Sequence, residues 1–114
     1  MKITQQDWVR DLRQNMFNGP GEVELMHICP NGTIPGIRLF ARITLEPGCG
    51  LGEHAHEGET EIYTILAGTA AVTLNGAPST LAVGDTMVTH NAKHSLANEG
   101  DVPLVVLAQI LLDT

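Results

Sequence analysis

The sequence predicts an all-β fold, a sandwich or a barrel. Short apolar or alternating runs follow one another from Glu22 to Leu112, turn residues separate them, and no long helical period intervenes. At 114 residues the chain is long enough for one domain with a real core and too short for two.

The N-terminal stretch reads differently from the rest. Thr4 and Asp7 are placed to cap a short helix in which Trp8 and Leu12 lie one turn apart, and Asn18-Gly19-Pro20-Gly21 ends it. Residues 1–21 are therefore expected to form an N-terminal segment with a short helix, and residues 22–114 the β-domain. Within that domain the candidate strands are residues 22–28, 37–45, 52–56, 61–67, 70–74, 79–83, 86–89, 95–98 and 104–112. Pro30-Asn31-Gly32, Pro35-Gly36, Glu46-Pro47-Gly48, Gly84-Asp85 and Glu99-Gly100-Asp101 mark turns between them. Asn75-Gly76 is the strongest hairpin signal, because both residues tolerate the positive φ of a type I′ turn.

Composition narrows the range of partners. The net charge is −7 and the six basic residues are scattered, whereas nucleic acid and anionic membranes call for a concentrated cationic face. Cys29 and Cys49 stand apart with no CxxC spacing, which reads as a reduced pair. The first residues lack the apolar run of a secretion signal, and the apolar stretch from Leu104 to Leu112 is far too short to span a bilayer. The expectation is a cytoplasmic protein.

The chemistry is concentrated in Glu53-His54-Ala55-His56-Glu57-Gly58-Glu59-Thr60-Glu61. His54 and His56 are two apart, so an extended strand points both imidazoles to one face. Glu61 opens the next apolar run and shares its period with Tyr63 and Ile65; if that face is interior, the carboxylate must be paired or bound to metal. Glu57 and Glu59 flank Gly58 and read as a solvated set or a rim. A third imidazole comes from downstream, His94 or, four residues earlier, His90. Three neutral nitrogens and one anionic oxygen suit a divalent transition ion: iron, manganese, nickel, copper or zinc. Of the remaining residues, Tyr63, Met87 and Phe40 read as core or pocket lining. Arg38 and Arg42 share a parity on the residue 37–45 strand and read as solvated edge charges, with contact to an anionic substrate as the alternative for one of them; His27 reads as a core or interface position beside Val23 and Leu25.

Gly48-x5-His54-x-His56-x4-Glu61-x6-Gly68 resembles the first signature motif of the cupin superfamily at every fixed position. Gly84-Asp85 through His94-x3-Asn98 resembles the second, although Thr89 and Asn91 stand where the family has proline and glycine. Asn91 can still supply the left-handed turn that glycine normally gives. The resemblance covers about residues 35 to 110. It implies a small single-domain cupin, a double-stranded β-helix (jelly-roll) barrel, with His54, His56, Glu61 and His94 as metal ligands; His90 is the alternative to His94.

Two functions follow from that resemblance. The first is a metalloenzyme acting on a small oxygen-rich molecule such as a sugar, keto acid, diketone or short thiol, with dioxygenase-like oxidation ahead of isomerase, lyase or decarboxylase chemistry. The candidates for proton transfer are Tyr63, His90 and Glu53. The second is a non-catalytic, metal-dependent binding module for a small ligand. A homodimer is expected, because small barrels leave edge strands that need cover and residues 102–112 and 22–28 can pair across a two-fold axis, unless the N-terminal residues fold back over their own barrel.

Overall fold

The computed structural model describes all of residues 1–114. Eight strands form one antiparallel sheet: β1 (Val9–Gln14), β2 (Glu22–His27), β3 (Ile37–Leu45), β4 (Gly50–Ala67), β5 (Ala70–Leu74), β6 (Ala77–Leu81), β7 (Thr86–Ala97) and β8 (Leu104–Leu112). Their order is β1-β2-β3-β8-β4-β7-β5-β6. The sheet rolls up into a jelly-roll barrel. Val23 and Leu25 of β2 join the same apolar cluster as Ala70 and Val72 of β5, although four strands, β3, β8, β4 and β7, separate the two along the sheet. Ile43, Leu45, Ile65, Leu104 and Val106 complete the centre of that cluster with almost no exposure. Alternation does this: on β8, Leu104, Val106, Ala108 and Ile110 are buried while Val105, Leu107 and Gln109 between them are not.

The N-terminal helix is corrected. Thr4 and Asp7 do form the reciprocal cap, with the Thr4 N–H donating to Asp7 Oδ2 over 2.8 Å, but only a single 3-10 turn follows, Gln5–Asp7. From Val9 the chain is a strand paired with β2, Asp11 opposite Leu25 and Arg13 opposite Val23. Trp8 and Leu12 are not one helical turn apart. Trp8 lies instead 5.1 Å from the Arg42 guanidinium on β3. An unpaired β2 edge offers six residues of ladder, which a short helix with one apolar pair cannot match. Residues 1–21 are thus hydrogen-bonded into the barrel's own sheet.

Two pairs of expected strands are also fused. Residues 52–56 and 61–67 are parts of the long β4, and residues 86–89 and 95–98 belong to β7; the two strands pair along their length. Their register slips between Leu51 and His54 and again between His56 and Thr60. The expected turn at Gly58 is therefore a bulge inside a strand.

Candidate metal centre

A strand with an unbroken period of two cannot carry this cluster. His54 and His56 share one parity and Glu61 the other. The slip across residues 57–59, with Gly58 at φ 69°, reverses the alternation, so that His56 and Glu61 face the same interior. The same happens on β7. Met87 and Thr89 point inward, Asn91 adopts φ 48°, and beyond it His94 and Leu96 point inward. That left-handed residue decides between the two candidate histidines. His94 is fully buried beside Glu61, whereas His90 is exposed and lies 3.2 Å from Asp113. The Gly58 N–H donates to the Asn91 side-chain oxygen over 3.0 Å, tying the two irregularities together.

The ligand atoms of His54, His56, Glu61 and His94 all lie within 4.8 Å of one another. His94 Nε2 is 2.9 Å from His54 Nε2 and 3.0 Å from His56 Nε2. Glu61 Oε1 is 2.9 Å from His56 Nε2, 3.0 Å from His94 Nε2 and 4.0 Å from His54 Nε2. Donor atoms ~2.1 Å from one ion and at right angles about it stand ~3.0 Å apart, so these edges have the size of a six-coordinate shell.

The far side of each imidazole is held by a partner. His54 Nδ1 is 2.7 Å from the Gly52 carbonyl, and His56 Nδ1 is 2.7 Å from Glu59 Oε1. Both oxygens can only accept, so the protons sit on Nδ1 and both Nε2 lone pairs face the cluster. Thr89 Oγ1, 2.8 Å from His94 Nδ1, leaves the third Nε2 free when it accepts. Three lone pairs and a carboxylate then converge with no proton donor among them. A proton on one edge relieves part of this; a divalent cation satisfies all four. The donor set fits a transition ion.

Without an ion, the titration directions describe the other way of relieving the cluster, a proton shared between an imidazole and Glu61. Burial alone would raise the Glu61 carboxyl, but hydrogen bonds from His54, His56 and His94 outweigh it and hold the group well below the usual carboxylate range. Hydrogen bonding to Glu61 raises His56 against the opposing effect of burial, whereas burial lowers His94. Burial, and then the Glu61 charge, push the Tyr63 phenol well above its ordinary value. Its hydroxyl is buried without a hydrogen-bond partner, and its ring stacks on His94 at 4.9 Å.

Beside the cluster lies a small cavity of about 130 Å³, walled by Leu25, Leu39, Ile43, Leu51 and Ile110. Phe17 stacks on the His54 ring at 3.8 Å from a short turn, Met16–Asn18, and holds φ 53° there. The chain passes so close that a Cβ on Gly52 would collide with the Phe17 carbonyl oxygen.

Of the three proton-transfer candidates, only Tyr63 lines this cavity. Glu53 is exposed on the other face of β4 from His54, and His90 lies with Asp113 at the surface. Three expectations are corrected. Glu59 is not a solvated rim carboxylate: it accepts from His56 and makes a two-pronged pair with Arg38 at 2.8 Å, which together with the His56 contact holds it below the usual carboxylate range. Arg38 is not a free edge charge. It is the extra residue where β3 slips against β8, between Ile37 and Leu39, and the slip turns it toward the cavity. His27 lines the cavity and bonds Asp11 at 3.0 Å, a partner supplied by the strand that the sequence reading made helical. Met87 is core, and Phe40 lies on the outer parity of β3.

A jelly-roll barrel carrying three imidazoles and a carboxylate on its inner wall defines a cupin. The Cupin domain family model matches residues 41–110. The oxalate-binding protein of Thermotoga maritima is 42% identical over 100 residues, spanning 86% of this chain and 83% of that one. A solved structure described as a predicted oxalate decarboxylase, also from Thermotoga maritima, has a TM-score of 0.92 at 38% identity, covering 98% of this chain and 99% of that one. A mannose-1-phosphate guanylyltransferase of Klebsiella pneumoniae is 42% identical over 67 residues, 58% of this chain but 14% of that enzyme. The Schizosaccharomyces pombe Cnp3 cupin domain, at 13% identity and a TM-score of 0.74 over 90% of this chain and 69% of that one, shares the fold. This chain belongs to the cupin family.

Proposed function

We propose that this cupin binds a short dicarboxylate of the oxalate kind at a divalent transition ion held by His54, His56, Glu61 and His94. The convergence of four acceptor atoms, with no donor among them, beside a cavity of about 130 Å³ carries this reading. Such a space corresponds to about four water volumes, enough for a few heavy atoms and too little for a polymer. A divalent ion there supplies positive charge and open positions for two ligand oxygens. The chain's own contribution is the apolar wall that excludes water and the Phe17 ring that keeps His54 in place. The 42% identity to a protein described as oxalate-binding points to the same ligand class.

Binding without turnover is preferred because no carboxylate at the cavity is free to act as general base. Glu59 and Asp11 are committed to basic partners, Glu61 belongs to the cluster, and Glu53 and His90 lie elsewhere. Dioxygenase-like oxidation is the second reading, favoured by the same three-imidazole, one-carboxylate donor set with open positions. Calorimetry with oxalate on protein loaded in turn with iron, manganese, nickel, copper and zinc tests both, alongside oxygen uptake and assays for formate and carbon dioxide. Stoichiometric binding with no product is the expected result. Product formation replaces the binding reading with an enzymatic one, and metal-loaded protein that ignores oxalate removes the ligand assignment.

The N-terminal strand covers the β2 edge of its own barrel but leaves β1 as a new edge, and a homodimer through that edge is proposed. β1 is an edge strand, with Val9 exposed on one face and Leu12 on the other, and a two-fold copy paired along it would cover that edge. Light scattering should give twice the 12.2 kDa chain mass; the monomer mass would refute it. The net charge of −7 weighs against nucleic acid, and no helix is long and apolar enough to cross a membrane.

A further inference from the structure

The cavity wall away from the metal cluster has a charge pattern of its own. Apart from the cluster residues and the neutral phenol of Tyr63, the titratable side chains that line it are Arg13 from β1, His27 from β2 and Arg38 from β3, with no further carboxylate. The carboxylates that neutralise them lie behind. Asp11 reaches His27 Nε2 at 3.0 Å and Arg13 Nη2 at 3.0 Å, and neither it nor Glu59 lines the cavity. Glu59 takes Arg38 on one edge through Nε and Nη2, both at 2.8 Å, leaving the rest of the guanidinium fork uncommitted.

Each acid therefore fixes a cation's rotamer from the outer side, so that the remaining N–H groups need no reorganisation to meet an anion. Both arginines stand at the exposed mouth of the cavity, Arg38 because of the β3 slip and Arg13 because β1 is a strand whose Asp11 and Arg13 lie opposite the buried Leu25 and Val23.

We infer that Arg13 and Arg38, flanking His27, form a clamped cationic collar that reads the negative charge of the ligand, selecting a dianion over a neutral molecule of the same shape. Arg38 is the member best placed for a carboxylate, because its planar fork still offers parallel N–H groups. The collar rests on the proposed small-anion function and adds what sets its specificity.

The test uses three probes of nearly equal shape and decreasing charge, oxalate, oxamate and oxamide, titrated into the metal-loaded protein. Arg38→Gln and Arg13→Gln are compared with Arg38→Lys, with metal content measured on each. The expected result is about a tenfold loss of oxalate affinity in each Gln variant, a smaller loss for oxamate and none for oxamide. Arg38→Lys, which keeps the charge and loses the fork and its two-pronged clamp, should fall between the unmodified protein and Arg38→Gln. Arg13 makes no contact with Glu59, so its variant separates charge reading from any effect relayed to His56. In the unmodified protein, added salt should weaken oxalate more steeply than oxamide, a readout that needs no variant to fold. Equal losses for oxalate and oxamide would overturn the collar. So would oxalate affinities unchanged in both Gln variants while the unmodified protein binds oxalate. If the metal-loaded protein binds neither oxalate nor oxamate, the collar and the proposed ligand class both fall.

Discussion

Thr89 and Glu59 do for His94 and His56 what the Gly52 carbonyl does for His54: each holds an Nδ1 so that Nε2 turns inward. Losing such a partner costs a metal site roughly 10–100-fold in affinity. Thr89→Val, which keeps the shape and removes the acceptor, should weaken metal binding about tenfold, and Thr89→Ser should restore it. Glu59→Gln removes a charge from both His56 and Arg38 and should cost between about 10- and 100-fold. Competition against a chromophoric chelator measures both; unchanged affinity in either variant would show that its imidazole is held by packing alone. Thr89 stands where the resembling motif has proline, and its residue type carries no signal of this role. The contact is visible only once β7 bends.

The irregularities in β4, β7 and β3 aim the site. The slips insert residues in β4 and β3 where a regular ladder would have none, β7 turns at the left-handed Asn91, and each reverses the alternation that a sequence reading relies on. This is why His54, His56 and Glu61 were legible as a group while Arg38 was not: the first three sit in a recognisable motif, whereas the β3 slip leaves no mark in Ile37-Arg38-Leu39. It is also why two expected strand pairs proved to be single long strands. Asn91 carries the β7 reversal at φ 48°. Asn91→Ala and Asn91→Gly both lose the bond to the Gly58 N–H, so the difference between them isolates the backbone. The alanine form should be less stable by about 1 kcal/mol, a melting temperature lower by about 4 °C. Equal melting points would mean that the left-handed turn is not under strain. Gly52→Ala should cost about 1–3 kcal/mol by driving the Met16–Asn18 turn off His54, measured as a lowered denaturation midpoint.

Across the molecule, the cluster ties β4 to β7 in the interior, so an ion bound there is coupled to global stability. At a free metal concentration 100-fold above Kd, binding adds about 2.7 kcal/mol, and chelation should lower the melting temperature by about 10 °C. The size of that drop depends on pH. Hydrogen bonding to Glu61 raises His56, so the metal-free protein gains stability from the protonated imidazole at low pH and loses it as pH rises through the folded value. Metal binding needs that proton removed. The chelator-induced drop should therefore be larger at pH 8 than at pH 6; a drop independent of pH would argue that His56 is not a ligand. Alternation, turn residues and one dense motif were enough to specify an all-β barrel and the polar side chains gathered within it, because apolar burial and ligand chemistry are written in residue type and spacing. Which strand the N-terminus joins, which carboxylate backs which imidazole and which cations face the cavity follow from register. Register is settled by pairing between distant segments, and no local run of residues records it.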